Sequence, residues 1–381
     1  MTDSPLSSAG AGSRSGFAPV RRLGSFLVTS GLIARDGLPA PIDGDVRAQT
    51  RIVLDRLGVL LADAGSSLAR IAAVQVYLRN PADFAAMNSV YATYFTDAPP
   101  TRTTVAADLR DPHALVEIAV VAVPDGAPRD VIHPAGWPKS PNPYSYGIRS
   151  GDTVFLSGLL ARDPITHTPI DGDTAAQTLA LLDHGQAILE AAGLDLGDVV
   201  STRAYITDAG DFDAMNTAYR ARFLAPMPVR ATVRTGLMSP AYAVEMTLTA
   251  VDGERQIVSA VPSVDGMTVE RPSPNLSAAV ITRDRVFLSG LLGAPETHPG
   301  ELVAQTRDMC AQVGRTLAAA GADWSRVGEV LLYVTDMRAR DLALEQLSSV
   351  LPLSSVAGVT VGTGLLAPGG VIELMVTAAR G

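Results

Sequence analysis

Two hydrophobic periods follow one another along residues 25–123, and their order predicts an α+β unit. SFLVTSGLIA, at 25–34, is a run of bulky and β-branched residues that is typical of a strand. IAAVQVYLR, TRTTVAADL and LVEIAVVAV are further predicted strands, and PADFAAMNSVYATYF is a helix with Pro81 in its first turn. DVRAQTRIVLDRLGVLLADAG places apolar residues on one helical face before Gly65: Val46, Val53, Leu57, Leu60 and Leu61. This order predicts a mixed sheet with two helices on one face.

The same pattern occurs three times, at steps of about 128 residues. PTRTTV at 100–105 recurs as PVRATV at 228–233 and as VAGVTV at 356–361. The glutamates of LVEI, AVEM and VIELM keep this step, as does a glutamine in each first helix: Glu117, Glu245 and Glu373; Gln49, Gln177 and Gln305. A period of this size predicts three tandem domains rather than a solenoid. We place them at 1–125, with 1–16 as a flexible tail, at 138–252 and at 268–381, joined by Pro- and Gly-rich linkers.

Composition narrows the class of protein. The chain has 381 residues, of which 47% are hydrophobic and 18% charged, so it can bury three cores. Its net charge of −9 and its lack of a Lys/Arg run argue against a nucleic-acid or anionic-membrane surface. The lone Cys310 excludes an internal disulfide, and the five histidines lack metal-ligand spacing. We expect a soluble cytoplasmic protein without a metal site.

The repeated motifs, taken as a set, resemble the Rid family of imine and enamine deaminases, also called YjgF-like proteins. The second repeat carries FLSG at 155–158, DFDAMNTAY at 211–219, PVRATV and AVEM, and the first carries FLVTSG, DFAAMNSVY, PTRTTV and LVEI. The resemblance implies a chorismate-mutase-like fold and trimers with a substrate cleft at each subunit interface. Three fused repeats therefore predict an intramolecular pseudo-trimer that is a monomer, with further self-association left open. No cofactor is implied.

The arginines and glutamates of the repeated strands are the main candidates for chemistry. The planar forks of Arg102 and Arg230 suit a substrate carboxylate. Each arginine also has a glutamate fifteen residues later, Glu117 or Glu245, so a structural ion pair is the alternative. Because these glutamates lie in apolar strands, each needs a partner, which is either the arginine or a water that it activates as a general base.

Further candidates surround them. Thr104 and Thr232 lie two residues after the arginines and share their face of the strand, where a hydroxyl fits the same water, although threonine is also ordinary strand material. The resemblance implies an aromatic residue over the substrate, which is Tyr144 in the second repeat and Phe17 in the first. It implies cleft contacts at three further pairs of positions: Ser30 and Ser157, Gly31 and Gly158, Asn88 and Asn216. The serines and asparagines equally fit turns and caps.

The third repeat has Gly358, Leu344 and Leu276 where the second has the arginine, the asparagine and the tyrosine. We therefore expect it to be architectural. The predicted function is hydrolysis of a small imine or enamine acid of the 2-aminoacrylate type to a keto acid and ammonia, with Arg230 holding the carboxylate and Glu245 and Thr232 delivering water. The alternatives are a specialised pathway enzyme acting on a larger substrate, by cyclisation or chorismatase-like hydrolysis, and a non-catalytic ligand-binding or scaffold protein.

Overall fold

The computed structural model describes residues 16–36, 44–261 and 273–381. The predicted tail at 1–16 lies outside the described residues except for Gly16. The three predicted α+β repeats are confirmed, and each consists of a mixed sheet that packs against two helices.

The first repeat forms a five-stranded sheet in the order β1-β2-β5-β3-β4. Its strands and helices are β1 (Val20–Leu23), β2 (Phe26–Thr29), α1 (Val46–Asp63), β3 (Ile71–Leu78), α2 (Phe84–Tyr94), β4 (Thr101–Ala106) and β5 (Val116–Ala122). Among these strands, which are those of the described residues, β3 and β4 pair in parallel and the other pairs are antiparallel. The sequence pattern does not predict β1, because Arg21 and Arg22 interrupt its apolar run. The edge strand β4 carries the arginine, and the inner strand β5 carries the glutamate.

The second repeat has the same core arrangement, extended by a strand from the linker. Its elements are β6 (Asp130–Ile132), β7 (Gly147–Ser150), β8 (Thr153–Leu156), α3 (Thr174–Glu190), β9 (Val199–Ile206), α4 (Phe212–Arg222), β10 (Val229–Arg234) and β11 (Val244–Val251). The sheet order is β10-β9-β11-β8-β7-β6. The predicted linker after the first repeat is thus partly a strand, since β6 pairs with β7 at the sheet edge.

The third repeat uses the second linker in the same way. Its elements are β12 (Gln256–Val258), β13 (Ala279–Ile281), β14 (Arg285–Leu288), β15 (Leu291–Leu292), α5 (Leu302–Ala319), β16 (Val327–Val334), α6 (Arg340–Ser348), β17 (Ala357–Gly362) and β18 (Ile372–Ala379). The sheet order is β12-β13-β14-β18-β16-β17, with β15 also on β18. Here too the arginine-position strand β17 is an edge and the glutamate strand β18 is inside.

The repeated glutamines fix the approach to each glutamate strand. The Gln49 side chain donates to the carbonyl of His113 at 3.1 Å and accepts from the amide of Leu115 at 2.8 Å. Gln177 and Gln305 make the equivalent pair of bonds in their own repeats. A buried amide that is satisfied in this way ties the first helix of a repeat to the residues just before its glutamate.

Each arginine-position strand contacts the next repeat in the same manner. The amide of Arg102 donates to the Ser157 hydroxyl at 2.9 Å, and its carbonyl accepts from the amide of Gly158 at 3.0 Å. Arg230 makes these two bonds to the third repeat, and Gly358 makes them to the first. The helix-free sheet faces share a core that includes one buried tyrosine from each repeat: Tyr77, Tyr205 and Tyr333.

Candidate active site

Three clefts lie at the junctions between repeats, where an edge strand of one repeat meets a glutamate of the next. We name them by the strand position and the glutamate that face each other: the first cleft (Arg102, Glu245), the second cleft (Arg230, Glu373) and the third cleft (Gly358, Glu117).

The prediction that Arg230, Thr232 and Glu245 form one site is wrong. The Glu245 carboxylate accepts a bond from the amide of Thr104 and faces the first repeat, whereas Arg230 faces the third. The reason lies in strand order: the arginine strand is at the sheet edge and the glutamate strand is inside, so each arginine reaches the neighbouring repeat's acid. Neither the Arg102–Glu117 nor the Arg230–Glu245 ion pair occurs among the ion pairs of the described residues.

Arg102 is held so that its guanidinium faces the first cleft. The side chain is 6% exposed, and Nη1 donates to the side-chain oxygen of Asn88 at 2.8 Å. Its guanidinium carbon lies 4.7 Å from the ring centre of Tyr91, a cation–π contact. Asn88 in turn donates to Asn142 at 3.0 Å, so this asparagine orients the arginine and does not cap a helix. No ion pair within the described ranges includes Arg102, which leaves its charge available to an anionic ligand.

Glu245 is a buried carboxyl group whose pKa is raised toward the neutral range. Burial raises its pKa to about 8, against the opposing effects of Arg162, the Thr104 amide and Arg102. Its Oε1 lies so close to Gly158 that any Cβ at that position would overlap it. Gly158 is therefore required by the close approach of the Glu245 carboxyl. The Thr104 hydroxyl is buried, lines the same cavity and has no partner among the described residues, so it is placed to bond a water or a substrate.

The first cleft contains an open cavity of about 110 Å³. Tyr144 lines it together with side chains that the sequence pattern does not predict, among them Arg162, Met238 and Tyr242. They belong to loops that have no strand or helix period. For Arg162, the sequence signal is its position four residues after Gly158, the glycine of the repeated motif. The cavity therefore combines one acid, two arginines and several aromatic surfaces.

The hydroxyls of the predicted cleft serines form hydrogen bonds within the protein. Besides accepting from Arg102, the Ser157 hydroxyl donates to the carbonyl of Ser145 at 2.7 Å. The Ser30 hydroxyl accepts from the amide of Gly358 at 2.9 Å and donates to the carbonyl of Ala18 at 2.6 Å. Both hydroxyls join neighbouring repeats. Gly31, like Gly158, makes room for a glutamate, in its case Glu117.

The second cleft keeps an arginine but is differently lined. The Arg230 side chain is buried, and Nη2 donates to Asn216 at 2.5 Å. Its Nε and Nη1 are buried and have no hydrogen-bond partner within the described parts of the chain. Leu276 and Leu366 replace the tyrosine and the methionine of the first cleft, and Leu366 packs against the core of the second repeat. Thr232 lies on this side, two residues after Arg230, away from Glu245.

The third cleft shows why Gly358 replaces an arginine. The ring of Phe17 lies over Gly358, so that a Cβ there would be 2.5 Å from two ring carbons. Phe17 is buried in the core of the third repeat, so its predicted place over a substrate is wrong. Burial raises the pKa of Glu117 to about 7, with Arg110 acting against the shift. This cleft retains the acid while an aromatic ring takes the space of the guanidinium.

The described residues show neither a metal-binding cluster nor a membrane-spanning helix. They contain no group of three or more His, Cys, Asp and Glu side chains that could hold a metal ion. None of their helices combines the length and apolar character needed to cross a membrane. Cys310 is buried in a core, where burial raises the pKa of its thiol to about 11.

Replacing Glu373 by glutamine should make the protein relatively more stable as the pH rises. Burial raises the pKa of this carboxyl to about 8 from an ordinary 4.5, so between those values the folded state holds a proton that the unfolded chain has released. Glu373 therefore makes the wild type less stable as the pH rises through that range, and the variant lacks this contribution. We expect the variant-minus-wild-type difference in melting temperature to rise between pH 5 and pH 9. The exposed Glu254→Gln change should give a pH-independent difference, and the same result for Glu373→Gln would contradict the prediction.

Three comparisons with known proteins agree with this architecture. A family model described as Endoribonuclease L-PSP matches residues 11–124, 136–252 and 268–380. A RutC family protein from Sulfurisphaera tokodaii is 42% identical over 116 residues, which are 30% of this chain and 93% of that protein. Protein DfrA from Myxococcus xanthus is 36% identical over 125 residues, 32% of this chain and 95% of its own. The crystal structure of a chorismatase covers 82% of this chain and 93% of its own with a TM-score of 0.54; at 17% identity this likeness concerns the fold alone.

Proposed function

The chain belongs to the Rid (YjgF-like) family, whose model matches all three repeats, and from that premise we propose that its first cleft hydrolyses a small imine or enamine acid to a keto acid and ammonia. One observation carries the proposal. Arg102, Asn88 and Thr104 of the first repeat face Tyr144 and Glu245 of the second across one open cavity. This is the residue set that the family resemblance requires, but it is assembled from two repeats.

Arg102 binds the substrate carboxylate and so fixes the adjacent carbon beside Glu245. With a pKa of about 8, Glu245 carries a proton at neutral pH and gives it to the terminal carbon of an enamine, which produces the iminium. The resulting carboxylate takes a proton from water, bonded also to the Thr104 hydroxyl, while the water oxygen bonds to the iminium carbon. Glu245 then protonates the nitrogen, the C–N bond breaks, and the hydroxyl proton returns to Glu245. Enamine and water give keto acid and ammonia.

The other two clefts have architectural roles in this proposal. The second cleft has Leu276 and Leu366 in place of the tyrosine and the methionine of the first cleft, and in the third cleft Phe17 fills the position of the arginine. We further propose that the repeats close into the predicted pseudo-trimer. The equivalent bonds at all three junctions support that arrangement, because they link the first repeat to the second, the second to the third and the third to the first.

A specialised enzyme acting on a larger acid remains the second candidate. The openness of the first cleft favours it, because a longer acid can extend from Arg102 out through the mouth of the cavity. A purely scaffolding role is disfavoured, since it predicts an arginine that is neutralised by an internal acid, and Arg102 instead faces a cavity.

The test is to measure keto acid and ammonia release from imines generated in situ by an amino acid oxidase. The full chain should accelerate release over the same mixture without it. Absence of acceleration by folded protein would reject imine hydrolysis and leave the larger-substrate candidate.

Gly158→Ala should lower kcat/KM at least tenfold, because the new Cβ displaces the Glu245 carboxyl. Gly290→Ala is a matched control, since its Cβ meets Glu373 in the second cleft in the same way. Both variants should lose similar thermal stability, and only the first should lose activity. Equal losses of activity in the two variants would mean that strain, and not the position of Glu245, controls the rate.

A further inference from the structure

Arg162 is a second cation in the first cleft, and neither the family resemblance nor the mechanism above uses it. It lies in the loop after β8 and lines the same cavity as Arg102. Its Nη1 donates to the Tyr144 hydroxyl at 3.3 Å, and its guanidinium carbon lies 5.8 Å from the ring centre of Tyr242. The side chain is thus held at the cavity wall by two aromatic residues.

The third cleft shows what an arginine at this position does when it is structural. Its counterpart there is Arg35, at the same distance from the motif glycine, and Arg35 forms a 2.5 Å ion pair with Asp111. At the position of Asp111 the second repeat has Ser239, which lines the first cleft. The first cleft therefore has the arginine without its acid. The second cleft has Ala294 at this position and lacks the cation.

No other acid replaces the missing partner within the described residues. No carboxylate oxygen there lies within 4.0 Å of Arg162. The neighbouring Asp163 turns its side chain to the amides of Ile165 and Thr166, at 2.9 and 2.7 Å. Glu245 is the one carboxyl among the described residues that line the cavity. Burial keeps most of it protonated at neutral pH, so the cavity has two guanidinium charges and little negative charge to balance them.

We propose that Arg162 binds a second anionic group of the substrate, so that the first cleft acts on imine acids that carry a further carboxylate. The type of reaction in this inference rests on the proposed function, whereas the binding of a second anionic group at Arg162 does not. Arg102 takes the carboxylate next to the reacting carbon, and Arg162 takes the distal one. A partly buried guanidinium without an acid gains more from such a ligand than the paired Arg35 does, because Arg35 already has its counter-ion. Arg162 is in this view a specificity-determining residue.

Binding of stable keto acids tests this without turnover. Isothermal titration calorimetry would compare 2-oxoglutarate with 2-oxopentanoate, which have the same chain length and differ in the second carboxylate. We expect the wild type to prefer the dicarboxylate at least tenfold, and Arg162→Gln to abolish the preference while leaving 2-oxopentanoate binding within about twofold. Arg35→Gln is the matched control and should keep the preference. Equal binding of the two acids by the wild type, binding of neither, or a preference that survives Arg162→Gln would overturn the proposal.

Turnover separates this inference from the proposed function. The imines formed by oxidation of glutamate and of 2-aminopentanoate would be supplied to the same variants. A binding preference without any turnover supports the Arg162 site and rejects imine hydrolysis. Turnover of both imines at equal kcat/KM, together with equal binding, supports hydrolysis and rejects the second anion site.

Discussion

Arg102→Ala is expected to lower kcat/KM for imine hydrolysis by at least about 100-fold. The variant loses the charge-assisted bonds to the substrate carboxylate, each worth about 1.5–3 kcal/mol, and a loss of about 1.4 kcal/mol is tenfold in rate. The effect should fall on both kcat and KM, because the same bonds place the reacting carbon beside Glu245. Steady-state kinetics with imines generated in situ would measure it.

Arg230→Ala is the matched control for this change. Arg230 is as deeply buried as Arg102, bonds to the equivalent asparagine and lies 4.7 Å from the equivalent tyrosine ring. The two variants should therefore lose similar thermal stability, whereas Arg230→Ala should keep kcat/KM within about threefold. If Arg230→Ala alone removed activity, the second cleft would be the working site and the assignment made from the first cleft would be wrong.

The fold followed from the sequence wherever periodicity was strong. The 128-residue step predicted three units, and the helical spacing in α1 and the apolar runs of β3 and β5 predicted the elements that form each core. The weak points were elements without periodicity. Arg21 and Arg22 hide β1, and the linkers contribute the edge strands β6 and β12 from segments that are rich in charge and proline. Each of these linker strands pairs with the edge strand of a sheet that the rest of its repeat forms, and the local sequence of the linker does not encode that pairing.

The candidate residues could be found from the sequence, but their grouping could not. A strict repeat makes Arg230 and Glu245 look like parts of one site because they share a unit. One signal pointed elsewhere: Glu373 persists in a repeat that has Gly358 in place of the arginine. An acid kept without its own arginine serves a neighbour's, and the structure places it beside Arg230. Gly358 itself depends on Phe17, more than 300 residues away in sequence, so no local pattern could explain it.

The pH dependence of kcat/KM should reflect the titration of the Glu245 carboxyl. Attack on an imine needs the carboxylate form, and burial raises the pKa of this group to about 8. For an imine without hydrogens on a neighbouring carbon, such as that from oxidised glycine, no enamine step intervenes. Its kcat/KM should therefore rise with pH and level off above about 8. An enamine, which needs the protonated form first, should lose rate over the same range, since its first step takes the proton from Glu245.

Glu245→Gln should abolish this rise of kcat/KM with pH. It should also lower kcat/KM by about 10²–10⁴, the usual contribution of a positioned acid–base group. Glutamine keeps the shape of the side chain and of its contact with Gly158, so the loss isolates proton transfer from packing. Glu373→Gln is the control, because burial raises the pKa of that carboxyl to about 8 as well. It should change the stability profile and leave the rate profile intact. A wild-type pH profile that Glu245→Gln reproduces at reduced rate would assign the titration to the substrate, and Glu245 would then bind or orient the water without exchanging a proton with it.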